Sequence, residues 1–305
     1  ELTLYSVSTG GGGGGGSSSG STVKTDTVTN PDGSVTKTET KSDGTKVETT
    51  TGKDGSTTKT ETKKDGSSVT ETKAADGSTA TVKTDKNGQT TAETQLSGKA
   101  IEDAKKNGEP VKAPVEVKAT RDSDTAPTVK IELPRNSGET KVEIPVSNAT
   151  PGTVAVLVHA DGTEEIVRDS IPTENGVQLT VNGDATVKVM DNSKNFTDTA
   201  GHWSEKNIDF VSARGLLNGT SANTFSPNAP TTRAQMVTML WRTMGQPTAG
   251  GTANFTDVPA DSYYASAVAW AVENGITDGV GDGRFDPAAT CTRAQIATFL
   301  YRYMK

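Results

Sequence analysis

The pattern of apolar and polar positions changes three times along this chain. From residue 21 to about 95, Thr and Val alternate with Lys and Glu in runs separated by turn pairs. Asp32-Gly33, Asp43-Gly44, Asp54-Gly55, Asp65-Gly66, Asp76-Gly77 and Asn87-Gly88 recur every 11 residues. Asp-Gly and Asn-Gly favour two-residue type I′ hairpin turns, because both central positions need positive φ. Alternation between such turns predicts an antiparallel meander with strands of about 30 Å, at ~3.4 Å per residue. Pairing through two-residue turns puts Thr36, Thr38 and Thr40 on one face with Val47, Thr49 and Thr51. It also sets Glu39 opposite Glu48 and Lys41 opposite Lys46, which like-charge repulsion disfavours. Neither face is apolar enough to bury. Two readings therefore stay open: a thin solvated β ribbon, or a disordered spacer.

From Leu96 to Asn192 the runs become more apolar. Ser97 to Asn107 reads as a short helix with a Ser cap and Gly108 as its stop. Alternating segments follow at Val115–Val117, Val129–Leu133 and Val142–Val146. Two hairpins come next: Val154 to His159 turns at Asp161-Gly162 into Glu164 to Val167, and Val177 to Val181 turns at Asn182-Gly183 into Ala185 to Val189. Short strands with one apolar face predict a small β-sandwich.

Beyond residue 192 the period switches from two to that of a helix. Met236, Val237, Leu240, Trp241 and Met244 lie on one helical face, and Ile296, Ala297, Leu300, Tyr301 and Met304 repeat it. Ile208, Val211, Val268, Ala271 and Val272 mark two earlier helices. The whole segment is written twice. Phe225-Ser226-Pro227 and Thr232-Arg233-Ala234-Gln235 return, 60 residues on, as Phe285-Asp286-Pro287 and Thr292-Arg293-Ala294-Gln295. Gly215 and Gly219 return as Gly275 and Gly279, and Phe196-x-Asp198 as Phe255-x-Asp257 after one inserted residue. A repeat this strict implies one supersecondary unit, and one kind of site, used twice.

Each Thr-Arg-Ala-Gln fits a capping box, with Thr at N-cap and Gln at N3. Arg233 and Arg293 then occupy N1, where a cation faces the positive end of the helix dipole. An anion meeting the Arg and the helix amides together would account for this arrangement. The alternative is that the two arginines pair internally with Asp198 and Asp257.

The duplicated Phe-x-Asp, Gly-rich loop, Phe-x-Pro and Thr-Arg-Ala-Gln elements resemble the S-layer homology family. The resemblance covers about a third of the chain. It implies an exported bacterial protein, of Gram-positive type, held non-covalently by an acidic secondary cell-wall polysaccharide, commonly one bearing pyruvate ketals. By position, it implies ligand contact at Arg233 and Arg293, with Trp203 and Tyr263 as sugar platforms. Asp198, Asp257, Gln235, Gln295, Gly279 and Gly283 complete the expected site. In the first copy, Asn223 is expected to supply the positive φ that glycines give the second. The family is typically built of three units; two are visible here, so a third unit elsewhere, sufficiency of two, or self-association all stay open.

The expected fold class is thus multidomain: all-α helix-loop-helix S-layer homology repeats, preceded by a small β-sandwich and a Thr-rich meander or disordered spacer. The expected segments are 1–20 (the end of an upstream region, with Leu2–Val7 strand-like and Gly10–Gly20 a Gly/Ser linker), 21–95 (spacer), 96–192 (sandwich), 193–248 and 252–305 (repeats).

Composition narrows the function. The net charge of −7 over 305 residues argues against a nucleic-acid partner. No apolar run is long enough to span a membrane. The single cysteine, Cys291, excludes an intrachain disulfide and reads as a small buried hydrophobe. His159 and His202 sit in no nucleophile or metal motif, so no catalytic residue, metal or cofactor is expected. Asp278-x-Val280-x-Asp282-Gly283 departs from a calcium loop at its third position and at Ala289. Wall anchoring is the leading reading. A surface adhesin, or the anchor tail of a glycan-active enzyme, is the alternative.

Overall fold

The computed structural model describes residues 24–305, so the expected strand at Leu2–Val7 and the linker at Gly10–Gly20 lie outside the described residues. The chain divides into two compact units, one ending at Asp191 and the other comprising Asn192–Lys305.

In the first unit, seven six-residue strands follow one another: β1 (Lys24–Thr29), β2 (Val35–Thr40), β3 (Lys46–Thr51), β4 (Thr57–Thr62), β5 (Ser68–Lys73), β6 (Thr79–Thr84) and β7 (Thr90–Gln95). Their turns are not the expected two-residue ones. Lys41 N–H donates to Thr45 O (2.8 Å) and Gly44 N–H to Lys41 O (3.0 Å), enclosing three residues, Ser42, Asp43 and Gly44. Only the glycine has positive φ, 87° at Gly44, as in a type I turn closed by a G1 bulge. The Asp side chain accepts the amide two residues on, as Asp43 does from Thr45 at 2.8 Å, and so holds the loop.

That extra residue moves the register by one. Glu39 faces Val47, Thr38 faces Glu48 and Thr40 faces Lys46, so the expected like-charge pairs do not form. Lys37 and Glu39 instead pair along one strand at 2.6 Å, and Lys46 with Glu48 at 2.9 Å. Threonines stack across strands, with Thr36 and Thr50 hydroxyls 2.8 Å apart and those of Thr60 and Thr70 3.0 Å apart. One face then grades from Thr36, Thr50, Thr58 and Thr72 into Ala80 and Thr94 and ends on Ile131.

After α1 (Gly98–Asn107), capped by Ser97 and by Gly108 at φ 69°, come β8 (Val111–Lys112), β9 (Thr128–Glu132) and β10 (Glu139–Pro145). The remaining strands are β11 (Thr153–Val158), β12 (Glu164–Ile166), β13 (Ile171–Pro172), β14 (Gly176–Asn182) and β15 (Ala185–Asp191). Sheet order is β1-β2-β3-β4-β5-β6-β7-β9-β15-β11-β12, with a second sheet β13-β14-β10-β8. One core joins Val129, Ile131, Val187 and Val189 of the long sheet to Val142, Ile144, Val177 and Leu179 of the short one.

The expected fold class is therefore overturned. The molecule is mostly β, and the Thr-rich segment is neither a disordered spacer nor separate from the sandwich. β7 pairs in parallel with β9 (Ala92 with Val129), so one eleven-stranded sheet runs through both. Parallel pairing of residues 37 apart needs an intervening crossover, here α1 and β8, which no local pattern announces.

The second unit is not all-α. Its helices α2 (Glu205–Ala213), α3 (Arg233–Thr243), α4 (Ala265–Glu273) and α5 (Arg293–Met304) are short. Long loops carry the rest, and they pair as isolated bridges, Thr232 with Thr290 and Gly281 with Arg284. Its core gathers Ala234, Met236, Val237 and Leu240 of α3, Val268, Trp270 and Ala271 of α4, and Ile276, Phe285, Cys291 and Phe299.

Candidate functional site

Each repeat is closed by an aspartate. Asp198 accepts the amides of Phe225 (2.9 Å) and Ser226 (2.7 Å); Asp257 accepts those of Phe285 and Asp286, both at 2.8 Å. The clamped residues Ser226 and Asp286 have φ of 60° and 59°, a left-handed conformation that a non-glycine adopts only under constraint. The backbone donors, Phe225 first, hold the Asp198 carboxyl below the usual carboxylate range. At Asp257 burial acts against ionisation, but the amides of Phe285 and Asp286 outweigh it and the carboxyl is again lowered. The rings of Phe255 and Phe285 meet at 5.8 Å, and those of Phe196 and Phe225 at 5.5 Å. Gly279, φ 85°, lies under this pair: a Cβ there would come 2.5 Å from Arg284 O and 2.6 Å from the Phe255 ring. Gly283 accepts the Thr256 amide at 2.9 Å. In the first copy Asn223 is not in the positive-φ region; the Ser221 hydroxyl accepts from Asn223 N–H (3.2 Å) and Thr224 N–H (3.1 Å) instead.

Both capping boxes form, with Thr232 Oγ1 accepting from Gln235 N–H and Thr292 Oγ1 from Gln295 N–H. The two N1 arginines nevertheless differ. Arg233 N–H donates to Ala289 O (2.9 Å) and Ala234 N–H to Pro287 O (3.1 Å), so the second repeat takes up the helix-end donors of the first. The Arg233 side chain is 3 % exposed; its Nε donates to Phe285 O at 2.9 Å, and the guanidinium lies over the rings of Phe285 and Phe299. It forms no ion pair among the described residues, and its Nη2 has no hydrogen-bond partner among them. Burial lowers its pKa from the ordinary value, and Cys291, Asp286 and Asp257 act the other way. The alternative, internal pairing of Arg233 with an aspartate, has no ion pair among the described residues, and the expected open side chain is buried. Arg293, by contrast, is exposed.

The same asymmetry runs along the helices. Leu240 is 4 % exposed and its equivalent Leu300 39 %; Tyr301 and Met304 are also exposed. The expected core face of α5 is thus largely open, because α3 is covered by the second repeat.

A groove of about 430 Å³ lies where the first repeat meets the second. The loop after α2 gives it Asn218, Gly219 and Thr220; α3 gives Gln235, Thr238, Met239 and Arg242; Tyr263 closes it from the second repeat, and Leu216 and Leu217 complete the wall. The lining holds one cation and no carboxylate. Tyr263 is 61 % exposed, with its ring edge-on to Tyr264 at 5.0 Å. Burial pushes its hydroxyl up and Tyr264 adds to this; the Arg242 charge and a Thr232 hydrogen bond oppose it. Of the expected site residues, the groove brings together Gln235 and Tyr263. Trp203, 87 % exposed beside His202, and Arg293, Gln295, Asp198, Asp257, Gly279 and Gly283 are not in its lining. Arg242 escaped sequence reasoning. Its signal was the echo of Arg242 at Arg302, about two helical turns past each Thr-Arg-Ala-Gln. Among the described residues no cluster of His, Cys, Asp or Glu could hold a metal, and no helix is long and apolar enough to cross a membrane.

The second unit is thus a duplicated loop-helix module, each copy closed by an aspartate clamp, with a groove between the copies. Among known families, the S-layer homology domain, an anchoring module, matches residues 195–237 and 254–297. The chain is similar to the Surface-layer 125 kDa protein of Lysinibacillus sphaericus, 34% identical over 105 residues, which are 34% of this chain and 9% of that protein. It resembles the Cellulosome-anchoring protein of Acetivibrio thermocellus, 38% identical over 69 residues, 22% of this chain and 15% of that one. It also matches the Amylopullulanase of Thermoanaerobacterium thermosulfurigenes, 27% identical over 109 residues, 36% of this chain and 6% of the enzyme. The chain spans only a small part of these relatives' lengths, and the enzyme matches through its S-layer homology anchor, a non-catalytic module. This chain is an S-layer homology domain-containing bacterial surface protein, extracellular and associated with the cell wall.

Proposed function

We propose that the paired repeats hold an exported protein to the wall by binding an anionic secondary cell-wall polysaccharide in the groove between them. The observation that carries this reading is the lining: a guanidinium, an exposed Tyr263 ring and several amide and hydroxyl groups, with no carboxylate, in a chain of net charge −7. Aromatic faces stack on sugar rings, and a guanidinium fork matches a carboxylate such as a pyruvate ketal. Arg233 supports the groove from within, by fixing the N-terminus of α3 against Phe285. Arg293 and Trp203, both exposed, extend the contact surface. Self-association belongs to the same reading: the α5 face that in α3 is covered by a neighbouring repeat is open to a second copy of this chain. Relatives named as an anchoring protein and as an enzyme favour an anchor attached to varied cargo over an adhesin.

The test is co-sedimentation of the full chain with purified wall sacculi, before and after the secondary polymer is stripped. Retention is expected before stripping and not after. Tyr263→Ala is expected to weaken retention about tenfold, the equivalent of ~1.4 kcal/mol, with the helical circular dichroism intact. Binding that survives stripping would overturn the reading.

A further inference from the structure

Glu143, on β10 of the short sheet, is the one buried carboxylate among the described residues, 8 % exposed, and no cation there pairs with it. Lys112 of β8 lies level with it but forms no ion pair with it. A buried carboxylate without a cation needs good hydrogen-bond donors, because the interior solvates it poorly. Glu143 has two, and both reach the same oxygen. Thr173 Oγ1 donates to Glu143 Oε1 at 2.8 Å, and Gln178 Nε2 donates to it at 3.1 Å. Strand pairing makes this meeting. β14 sets Gln178 opposite Glu143 of β10 on one side and opposite Ile171 of β13 on the other. Thr173, two residues past Ile171, falls on the same face. Its amide fixes it there by donating to Gly176 O at 2.7 Å.

The three side chains are an alcohol nucleophile, a base in contact with its proton, and an acyl group carrying a nitrogen that touches the same base. The Thr173 oxygen accepts the amides of Asn175 (3.2 Å) and Gly176 (3.0 Å). These donors stabilise negative charge as it develops on that oxygen. Glu143 is the nearer acceptor for the hydroxyl, with Gly176 O at 3.4 Å.

We propose that Thr173 and Gln178 are the two ends of an internal ester cross-link, which the chain forms by itself with Glu143 as proton carrier. Glu143 takes the hydroxyl proton as Thr173 Oγ1 attacks Gln178 Cδ and the C–O bond forms. The tetrahedral centre collapses, the Cδ–Nε2 bond breaks, and Glu143 returns the proton to the departing nitrogen, which leaves as ammonia. One C–O bond replaces one C–N bond, the carboxylate ends as it began, and nothing is oxidised or reduced. Holding both partners on one face makes the step intramolecular, which removes most of its entropic cost. The product ties β13, a two-residue strand at the edge of the short sheet, covalently to β14. With one cysteine, the chain has no intrachain disulfide to do this.

Mass spectrometry of the full purified chain tests the proposal. The intact mass is expected to fall below the sequence value by one ammonia, about 17 Da. A mass at the sequence value overturns it. The loss is expected in the tryptic peptide 169–188, which contains both residues. Asn175-Gly176 and Asn182-Gly183 share that peptide, and an imide at either would lose ammonia too. Cleavage after Glu174 separates the cases, because Glu174 lies inside the loop that the ester closes: the two halves stay joined with an ester and part with an imide. Thr173→Val removes the nucleophile at nearly constant shape and is expected to restore the sequence mass. Parting halves, or an ammonia loss that persists in Thr173→Val, would overturn the cross-link. Glu143→Gln keeps the side chain's length and removes the base, and is expected to slow the loss at least tenfold. Cross-linking at the parent rate in that variant would overturn the role given to Glu143.

Discussion

Asp198 and Asp257 illustrate how much one residue fixes in this molecule. Each carboxylate holds two consecutive amides and thereby a left-handed residue that would otherwise relax. Both have a folded-state pKa below the ordinary value. A depressed carboxyl stabilises the fold at pH above its unfolded pKa, ~3.9 for Asp, and loses that contribution as pH falls through the lower folded value. Thermal melts followed at 222 nm should therefore show the helical unit weakening between about pH 5 and pH 2. An Asp198→Ala, Asp257→Ala double variant should melt lower at pH 7 and respond less to acid. An unchanged acid response in that variant would assign the effect to other groups. Gly279 is a second single-residue constraint. Its φ of 85° and the nearby Arg284 carbonyl leave no space for a methyl. Gly279→Ala should cost about 1–3 kcal/mol in urea denaturation; Gly281→Ala, at φ 104°, meets the same backbone strain but open space, and should lack the added clash.

At the scale of elements, nearly identical sequence gives different energetics. The capping boxes of α3 and α5 are local, spanning four residues, and both were legible in Thr-Arg-Ala-Gln. The destination of the Arg at N1 was not, because the atoms that bury Arg233 come from Phe285 and Phe299, more than 50 residues away. The same holds for the apolar faces. Leu240→Ala should destabilise the helical unit by about 2–5 kcal/mol as a buried truncation, and Leu300→Ala by about 1 kcal/mol or less, in chemical denaturation followed by helix signal. Equal losses would mean that α5 is covered as α3 is. In the Thr-rich strands the 11-residue spacing of Asp-Gly correctly located every turn. The type of turn depended on one further residue, and that residue decided which side chains oppose one another.

For the whole molecule, the decisive contact is the parallel pairing of β7 with β9, which makes the repetitive strands and the sandwich one sheet. Ile131, fully buried, sits at that junction beside Thr94. Ile131→Ala should cost about 2–5 kcal/mol and should lower amide protection in β6 and β7 together with β9. Protection lost in β9 alone would show that the repetitive strands fold independently. Sacculus affinity should be unchanged in this variant, because the groove residues belong to the other compact unit.

By itself the sequence determined what short-range chemistry encodes: the recurrence of turns, the caps of α1, α3 and α5, the alternation of sandwich strands, and the duplication that points to the S-layer homology class. Hydrogen bonds and side-chain contacts within about four residues are specified by the residues that make them. Only the tertiary structure decided the strand register, the continuity of the eleven-stranded sheet, the burial of Arg233 against the exposure of Arg293, and the meeting of Asn218, Arg242 and Tyr263 in one groove. Each of these depends on which distant segment supplies the neighbour, and two copies of one motif cannot carry that information when only one of them has the other packed against it.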